Sequence, residues 1–455
     1  MNDETSYWTI SEAATRLRSG DVSATELVDH ALQRINRFNP TLNCFIEVLY
    51  VRAHEQAIAI DKLFQSGVDL GPLQGIPVSL KDNIATAGVR TSAGSSLLSN
   101  WIPDEDADVV HQLSKSGAVI VGKATMYEFA FGAENARFGV TRNPWDTSRT
   151  TAGSSSGSAA SVAAGLSFGS VGTDSGGSVR HPAAFCGIVG FKPTYGAVSC
   201  RGVIPLSNSL DHVGPLARTV TDVALMYAAM VGMPRSIENR LMRALEGGLK
   251  GIKIGCLPLD SLEGVDAEVK DHVNAAYELL EREGAELIHV GFPSLTAVGA
   301  VLWTIMLVEA AEYHRNNLKR FSSEFHPFVR DRLERGQRIP GTFYVQAQRL
   351  RRKIGLITNT ALQECDVLAM PSVPTLPHSI HVSAEVSSRY SGLANLTGQP
   401  AVVVPCGFSV GGLPIGFELA GRSYDDETVL RVARAYERAT GWHQIHPTDV
   451  ATAAS

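Results

Sequence analysis

The sequence predicts an α/β protein whose sheet carries helices on both faces, and three observations lead there. Short apolar runs recur between helical stretches from about Gly71 onward, the alternation expected of strands and crossover helices. The 455 residues are 44% hydrophobic and 19% charged, which suits a globular chain with a large core. No long Pro-rich or charged linker interrupts the chain and no internal repeat is visible, so one continuous body is expected over 1–455.

Taken in order, Thr9-Ile10-Ser11-Glu12 and Ser23-Ala24-Thr25-Glu26 both fit the capping box, and Leu27, Val28, Ala31 and Ile35 share one helical face. Two helices therefore open the chain. Strands are expected at 75–80, 118–121, 166–171, 252–256, 286–290, 366–370, 401–405 and 414–419. Residues 130–220 are dense in Gly and Ser, whereas about 230–365 read as helices with charged faces, such as 314–335 and 346–362. That stretch is expected to be a helical insertion contributing to the substrate pocket. The apolar run 297–308 is too short for the roughly 20 residues of a spanning helix and reads as a buried helix or pocket wall. The small polar tail 448–455 is expected to fray.

Charge and cysteines narrow the function classes. Lys+Arg minus Asp+Glu is 40 − 46 = −6, so no basic field favours a nucleic-acid backbone or an anionic membrane. The six cysteines lie far apart with no metal-site spacing, and reduced thiols are the default. The start, MNDETSYWTI, lacks a basic segment followed by an apolar run, which points to the cytoplasm.

Four motifs carry possible chemistry. Gly117 to Lys123 matches most of a phosphate-binding loop, but the four intervening residues are apolar and Ala124 stands where a Ser or Thr would reach a metal ion, so a buried strand is the better reading. Gly153-Ser154-Ser155-Ser156-Gly157 fits a nucleophile elbow centred on Ser155, and a serine esterase of α/β-hydrolase type is the corresponding alternative. The preceding Asn143 to Arg149, however, reads as turn and loop where an elbow needs a strand. In Gly172-Thr173-Asp174-Ser175-Gly176-Gly177-Ser178-Val179-Arg180, two glycines after a strand let backbone N–H groups converge to hold an oxyanion. Finally, Lys81 ends the apolar run of Gly75-Ile76-Pro77-Val78-Ser79-Leu80-Lys81, where burial would depress its pKa and make it a base.

Three such segments in this order resemble the amidase signature family. The likeness runs from about Ala24 to Ala439 and extends to Gly190-Phe191-Lys192-Pro193-Thr194-Tyr195-Gly196, Asp211-His212-Val213-Gly214-Pro215-Leu216 and Gly398-Gln399-Pro400-Ala401. The resemblance implies a large mixed twisted sheet and hydrolysis of a carboxylic amide through an acyl-serine intermediate. It also implies a Ser–Ser–Lys triad with Lys81 as base, Ser154 as bridge and Ser178 as nucleophile. Backbone N–H groups of Ser175, Gly176, Gly177 and Ser178 would form the oxyanion hole. Ser155, Asp174 and Arg180 would support the loops, Glu128, Phe129 and Phe131 would line the acyl pocket, and the Gly153–Ser154 peptide would be cis. No metal or organic cofactor is implied.

The chain departs from the family in three places: two glycines are lost around Ser156, His181 replaces a commonly apolar residue, and Tyr127 replaces a common Asp. Within the family, the A subunit of a tRNA-dependent amidotransferase is the main alternative. It typically has an Asp-Ser-Thr-Ser stretch where this chain reads Met233-Pro234-Arg235-Ser236-Ile237. The expectation is therefore a free-standing amidase of small amides, without nucleic acid or membrane, with a homodimer as the assembly considered.

Overall fold

The computed structural model describes residues 3–259, 262, 264–382 and 386–447; the tail expected to fray lies outside them. Thirteen strands occur among these residues: β1 Phe45–Val48, β2 Pro77–Lys81, β3 Val119–Ala124, β4 Arg142–Asn143, β5 Asp146–Thr150, β6 Gly169–Asp174, β7 Val189–Lys192, β8 His212–Ala217, β9 Lys253–Cys256, β10 Glu286–Ile288, β11 Val367–Pro371, β12 Ala401–Phe408 and β13 Pro414–Gly421. Eleven of them form one sheet in the order β1-β3-β2-β6-β8-β7-β12-β13-β11-β9-β10. Parallel pairs lie towards its two sides (β3/β2/β6 and β11/β9/β10), and antiparallel pairs run through the middle from β6 to β11. The sheet is mixed, as the resemblance implied.

Local sequence explains the elements. Both capping boxes form: Thr9 and Ser23 each accept the N–H of the Glu three residues on, and Glu12 and Glu26 reach back. Every residue of β2, β3, β6, β8, β11 and β13 is buried, the condition of strands covered on both faces. Residues 143–149, expected as turn and loop, instead include the hairpin β4/β5. Its reason is Asn143, whose Oδ1 accepts Trp145 N–H while its Nδ2 donates to Thr150 and Phe185 carbonyls. A side chain thereby does the work of a turn in an otherwise polar stretch.

Between β10 and β11 the chain forms helices Leu295–Tyr313, Arg315–Phe321, Pro327–Arg338 and Gly341–Glu364. The first is long and apolar enough to cross a membrane, yet Val298, Leu302 and Ile305 are buried in an apolar cluster with Leu333, Ile354 and Leu393. Phe129 and Phe131 belong to the same cluster. It stands beside the larger sheet core, and the functional residues gather where the two meet.

Candidate active site

Neighbouring parallel strands β2 and β6 end at the same edge of the sheet, with Leu80 opposite Val171. Lys81 and the loop after Asp174 are thus brought together at strand C-termini, where open α/β sheets present their crevices. The third segment arrives from β5. Its Gly153–Ser154 peptide is cis, and a Cβ at Gly153 would stand 2.4 Å from the Tyr127 ring. Tyr127 therefore packs directly on the backbone that presents Ser154, which only glycine permits.

Lys81 is completely buried. Its Nζ lies 2.6 Å from Ser154 Oγ, 2.7 Å from Thr173 Oγ1 and 3.4 Å from the Thr173 carbonyl. Burial pushes its pKa down to about 7, against the opposing pull of the Asp174 and Asp211 carboxylates. A neutral amine has two protons and one lone pair. The two Thr173 oxygens accept the protons, which leaves the lone pair to accept from Ser154 Oγ–H. Thr173 is thus the orienting partner that sequence reading missed, although it lies inside the Gly/Ser segment quoted for its glycines.

Ser154 and Ser178 both border one cavity of about 620 Å³, its open mouth included. Gly176 also borders it, and the N–H groups of Gly176 and Ser178 have no protein acceptor among the described residues. The expected four-amide oxyanion hole needs correction at Gly177, because its N–H donates to Asp174 Oδ1 at 2.8 Å. Ser175 turns its hydroxyl to Asp211 Oδ1 at 2.5 Å. Burial raises the Asp211 carboxyl to about 6, with the Ser175 hydroxyl and the Ser207 and Leu206 N–H groups acting in the opposite direction.

Asp174 is fixed from several sides. Besides Gly177, its carboxylate accepts from Val179 N–H, Asn395 and Arg180. Burial alone would raise its pKa, but the Arg180 guanidinium overrides this and holds it well below the usual range. All five Arg180 donors are used: two to Asp174, and one each to Glu418, the Ser391 carbonyl and Asn395. Ser155, the elbow candidate, is buried with its hydroxyl donated to the Thr173 carbonyl at 3.2 Å. It is held as a strut between the loops rather than presented as a nucleophile.

The acyl pocket differs from the expectation. Phe131 lines the cavity, but Glu128 and Phe129 do not. The Glu128 carboxylate is occupied by Ser95, Asn135 and the His326 N–H, and Phe129 packs on His314 and Phe325. Trp303, Met306 and Arg332 supply the opposite wall from the helical segment. Arg332 donates to the Phe131 carbonyl at 2.9 Å and lies against the rings of Phe131, Trp303 and Phe328. Burial lowers its pKa to about 10, so it remains a cation at neutral pH. Lys123 of the apparent phosphate loop is buried on β3, bonded to the Ile84 carbonyl and Thr91 Oγ1.

Comparison with known proteins bears on the partners. The chain is 38% identical over 486 aligned residues to a protein of Chloroflexus aggregans named as the A subunit of glutamyl-tRNA(Gln) amidotransferase, covering 98% of this chain and 99% of that one. The crystal structure of the A subunit from Thermotoga maritima superposes with a TM-score of 0.81 at 33% identity, covering 97% of this chain and 96% of that one. A chain from a vestigial complex tied to the origins of an s-triazine catabolic enzyme superposes at 0.89 with 32% identity, covering 95% and 99%.

The A-subunit likenesses overturn the expectation that no nucleic acid is a partner, since those relatives are named as a subunit of glutamyl-tRNA(Gln) amidotransferase. Two physical reasons explain the error. Net charge averages over the whole surface and says nothing of a chain that need not grip phosphates itself. The departure at Met233 to Ile237 falls where helix Arg235–Leu245 begins and lines none of the cavity, so it never tested the chemistry. The family model for amidases matches residues 26–430, and the chain belongs to the amidase signature family of amide-hydrolysing enzymes.

Proposed function

We propose that this chain is the amide-cleaving subunit of an amidotransferase that delivers nitrogen to glutamyl-tRNA(Gln). The near full-length relationship to proteins named as that enzyme's A subunit carries the reading. Arg332 supports it from inside the cavity: a guanidinium framed by aromatic rings suits a donor amide that bears a carboxylate. Glutamine is such an amide. A cytoplasmic location fits this role.

The residues divide the work. Neutral Lys81 takes the Ser154 hydroxyl proton as Ser154 takes that of Ser178, and Ser178 Oγ attacks the amide carbonyl. Negative charge then gathers on the carbonyl oxygen, beside the unpaired N–H groups of Gly176 and Ser178. The proton returns through Ser154 to the leaving nitrogen, ammonia departs, and an acyl ester remains on Ser178. Water, activated by the same relay, attacks this ester and frees the carboxylate and Ser178. The helical segment 295–338, which supplies Trp303, Met306 and Arg332, sets the pocket for the acyl group within one amidase domain.

The test is glutamine hydrolysis by the purified chain, measured alone and then with partner subunits from a glutamyl-tRNA amidation system. Hydrolysis should rise at least tenfold in the presence of the partners, ATP and glutamyl-tRNA, with Gln-tRNA formed. Rapid turnover of uncharged amides that ignores those additions would reject this reading.

A further inference from the structure

His181 sits in the first turn of helix Arg180–Cys186, directly downstream of Ser178 and Val179. It is buried, yet it borders the active-site cavity. Its Nε2 is 2.6 Å from Ser391 Oγ, and Ser391 Oγ donates to the Gly176 carbonyl at 3.0 Å. A serine hydroxyl has a single proton. With that proton committed to Gly176, Ser391 can only accept from His181, so the imidazole carries its proton on Nε2.

The other end of the same peptide unit is also held, because Gly177 N–H donates to Asp174. The Gly176–Gly177 peptide is therefore clamped at its carbonyl by His181 and Ser391 and at its N–H by Asp174. Ring and loop are fitted to each other: Gly177 has φ +118°, and a Cβ there would stand 2.2 Å from His181 Nε2. Ser391 is fixed in turn, since its carbonyl accepts from Arg180.

We propose that His181 is a positioning residue for the oxyanion loop. Acting through Ser391, it locks the Gly176–Gly177 peptide in the orientation that leaves the Gly176 and Ser178 N–H groups unpaired beside the cavity. Burial and the neighbouring Arg180 push the His181 pKa down to about 3, so the ring stays a neutral donor throughout the working pH range. The sequence alone shows only that a histidine replaces an apolar residue; the hydroxyl that gives it a task is 210 residues further on.

The test uses a serine-directed fluorophosphonate on the full chain, so it is independent of the natural donor amide and rests only on Ser178 as nucleophile. His181→Leu and Ser391→Ala should each slow the maximal labelling rate of Ser178 about 10–100-fold, less than the ~100–1,000-fold loss of an oxyanion donor itself, with reagent affinity changed less than threefold. The double variant should be no slower than the slower single one, because both break one chain of bonds. His181→Gln, whose Nε2 can reach Ser391, should recover most of the rate, whereas the shorter His181→Asn should not. Should the Leu variant fail to fold, the Gln and Asn pair decides. Equal rates for Gln and Asn, losses that add in the double variant, or a loss confined to reagent affinity would each overturn the proposal. A parent protein unlabelled at Ser178 would remove the nucleophile and this proposal together, while leaving the tRNA reading to its own test.

Discussion

At Lys81 the working form is the neutral one, which fixes the sign of the pH dependence. A free lysine titrates near 10.4, but burial brings this one to about 7. kcat/KM should therefore rise about tenfold per pH unit below 7 and level off above it. Lys81→Ala should lose at least about a thousandfold and with it this limb. Lys123→Ala should keep the limb and lower the thermal midpoint instead, because Lys123 holds the Ile84 carbonyl and Thr91 rather than a reacting group. A flat profile in the parent enzyme would exclude Lys81 as base. On the opposite wall, Arg332→Met should raise KM for glutamine about 10–100-fold, the loss of one charge-assisted contact of about 1.5–3 kcal/mol, while a neutral amide of similar size is cleaved with little change. Equal effects on both substrates would make Arg332 a packing residue only. Residue chemistry was legible at Lys81, where an apolar run ends in a cation. It was not at Thr173 or Asp211, whose tasks depend on which neighbour they meet across the sheet.

The elements show the same division. Eight runs read as strands from apolar density lie at or within a few residues of observed strands, from β2 to β13. β7 and β8 were missed because Gly190, Gly214 and Pro215 interrupt their patterns, and β1 because it is four residues of mixed polarity. The glycines themselves mark close approaches. In helix Ser156–Ala163, a Cβ at Gly157 would stand 2.2 Å from the Cys44 carbonyl and 2.6 Å from Thr125 N. Backbone cannot yield as a flexible side chain does, so Gly157→Ala should cost about 1–3 kcal/mol or more, read as a lower midpoint in chemical denaturation. A variant as stable as the parent would show that the helix slides freely on β1 and β3. The two lost loop glycines, at Ala152 and Ser156, have their answer here: Ser156 bonds the Thr125 carbonyl through its hydroxyl, and Ala152 takes the left-handed backbone itself, with φ +56°.

For the whole molecule, the active-site cavity is walled on one side by members of the cluster built on Leu302 and Ile305, namely Ala130, Phe131, Leu206 and Met306, and on the other by the loops that carry Ser154, Gly176 and Ser178. Leu302→Ala, at a fully buried position, should cost about 2–5 kcal/mol. Trp303 fluorescence and activity should then be lost at lower denaturant than far-UV ellipticity; simultaneous loss of all three would mean that both cores melt as one unit. Mixed strand directions could be read only through resemblance, since periodicity reports burial and not the partner. Arg180 has a further consequence for biosynthesis. Lys81, Ser154 and Ser178 all leave the ribosome early, but Arg180 bonds Ser391, Asn395 and Glu418, which are translated more than 200 residues later. An emerging chain holds every reacting group before the scaffold that orders them exists. Stalled nascent chains ending before Glu418 should accordingly resist fluorophosphonate, and reactivity should switch on as β13 docks, so the hydrolase stays silent until Glu418 has been made.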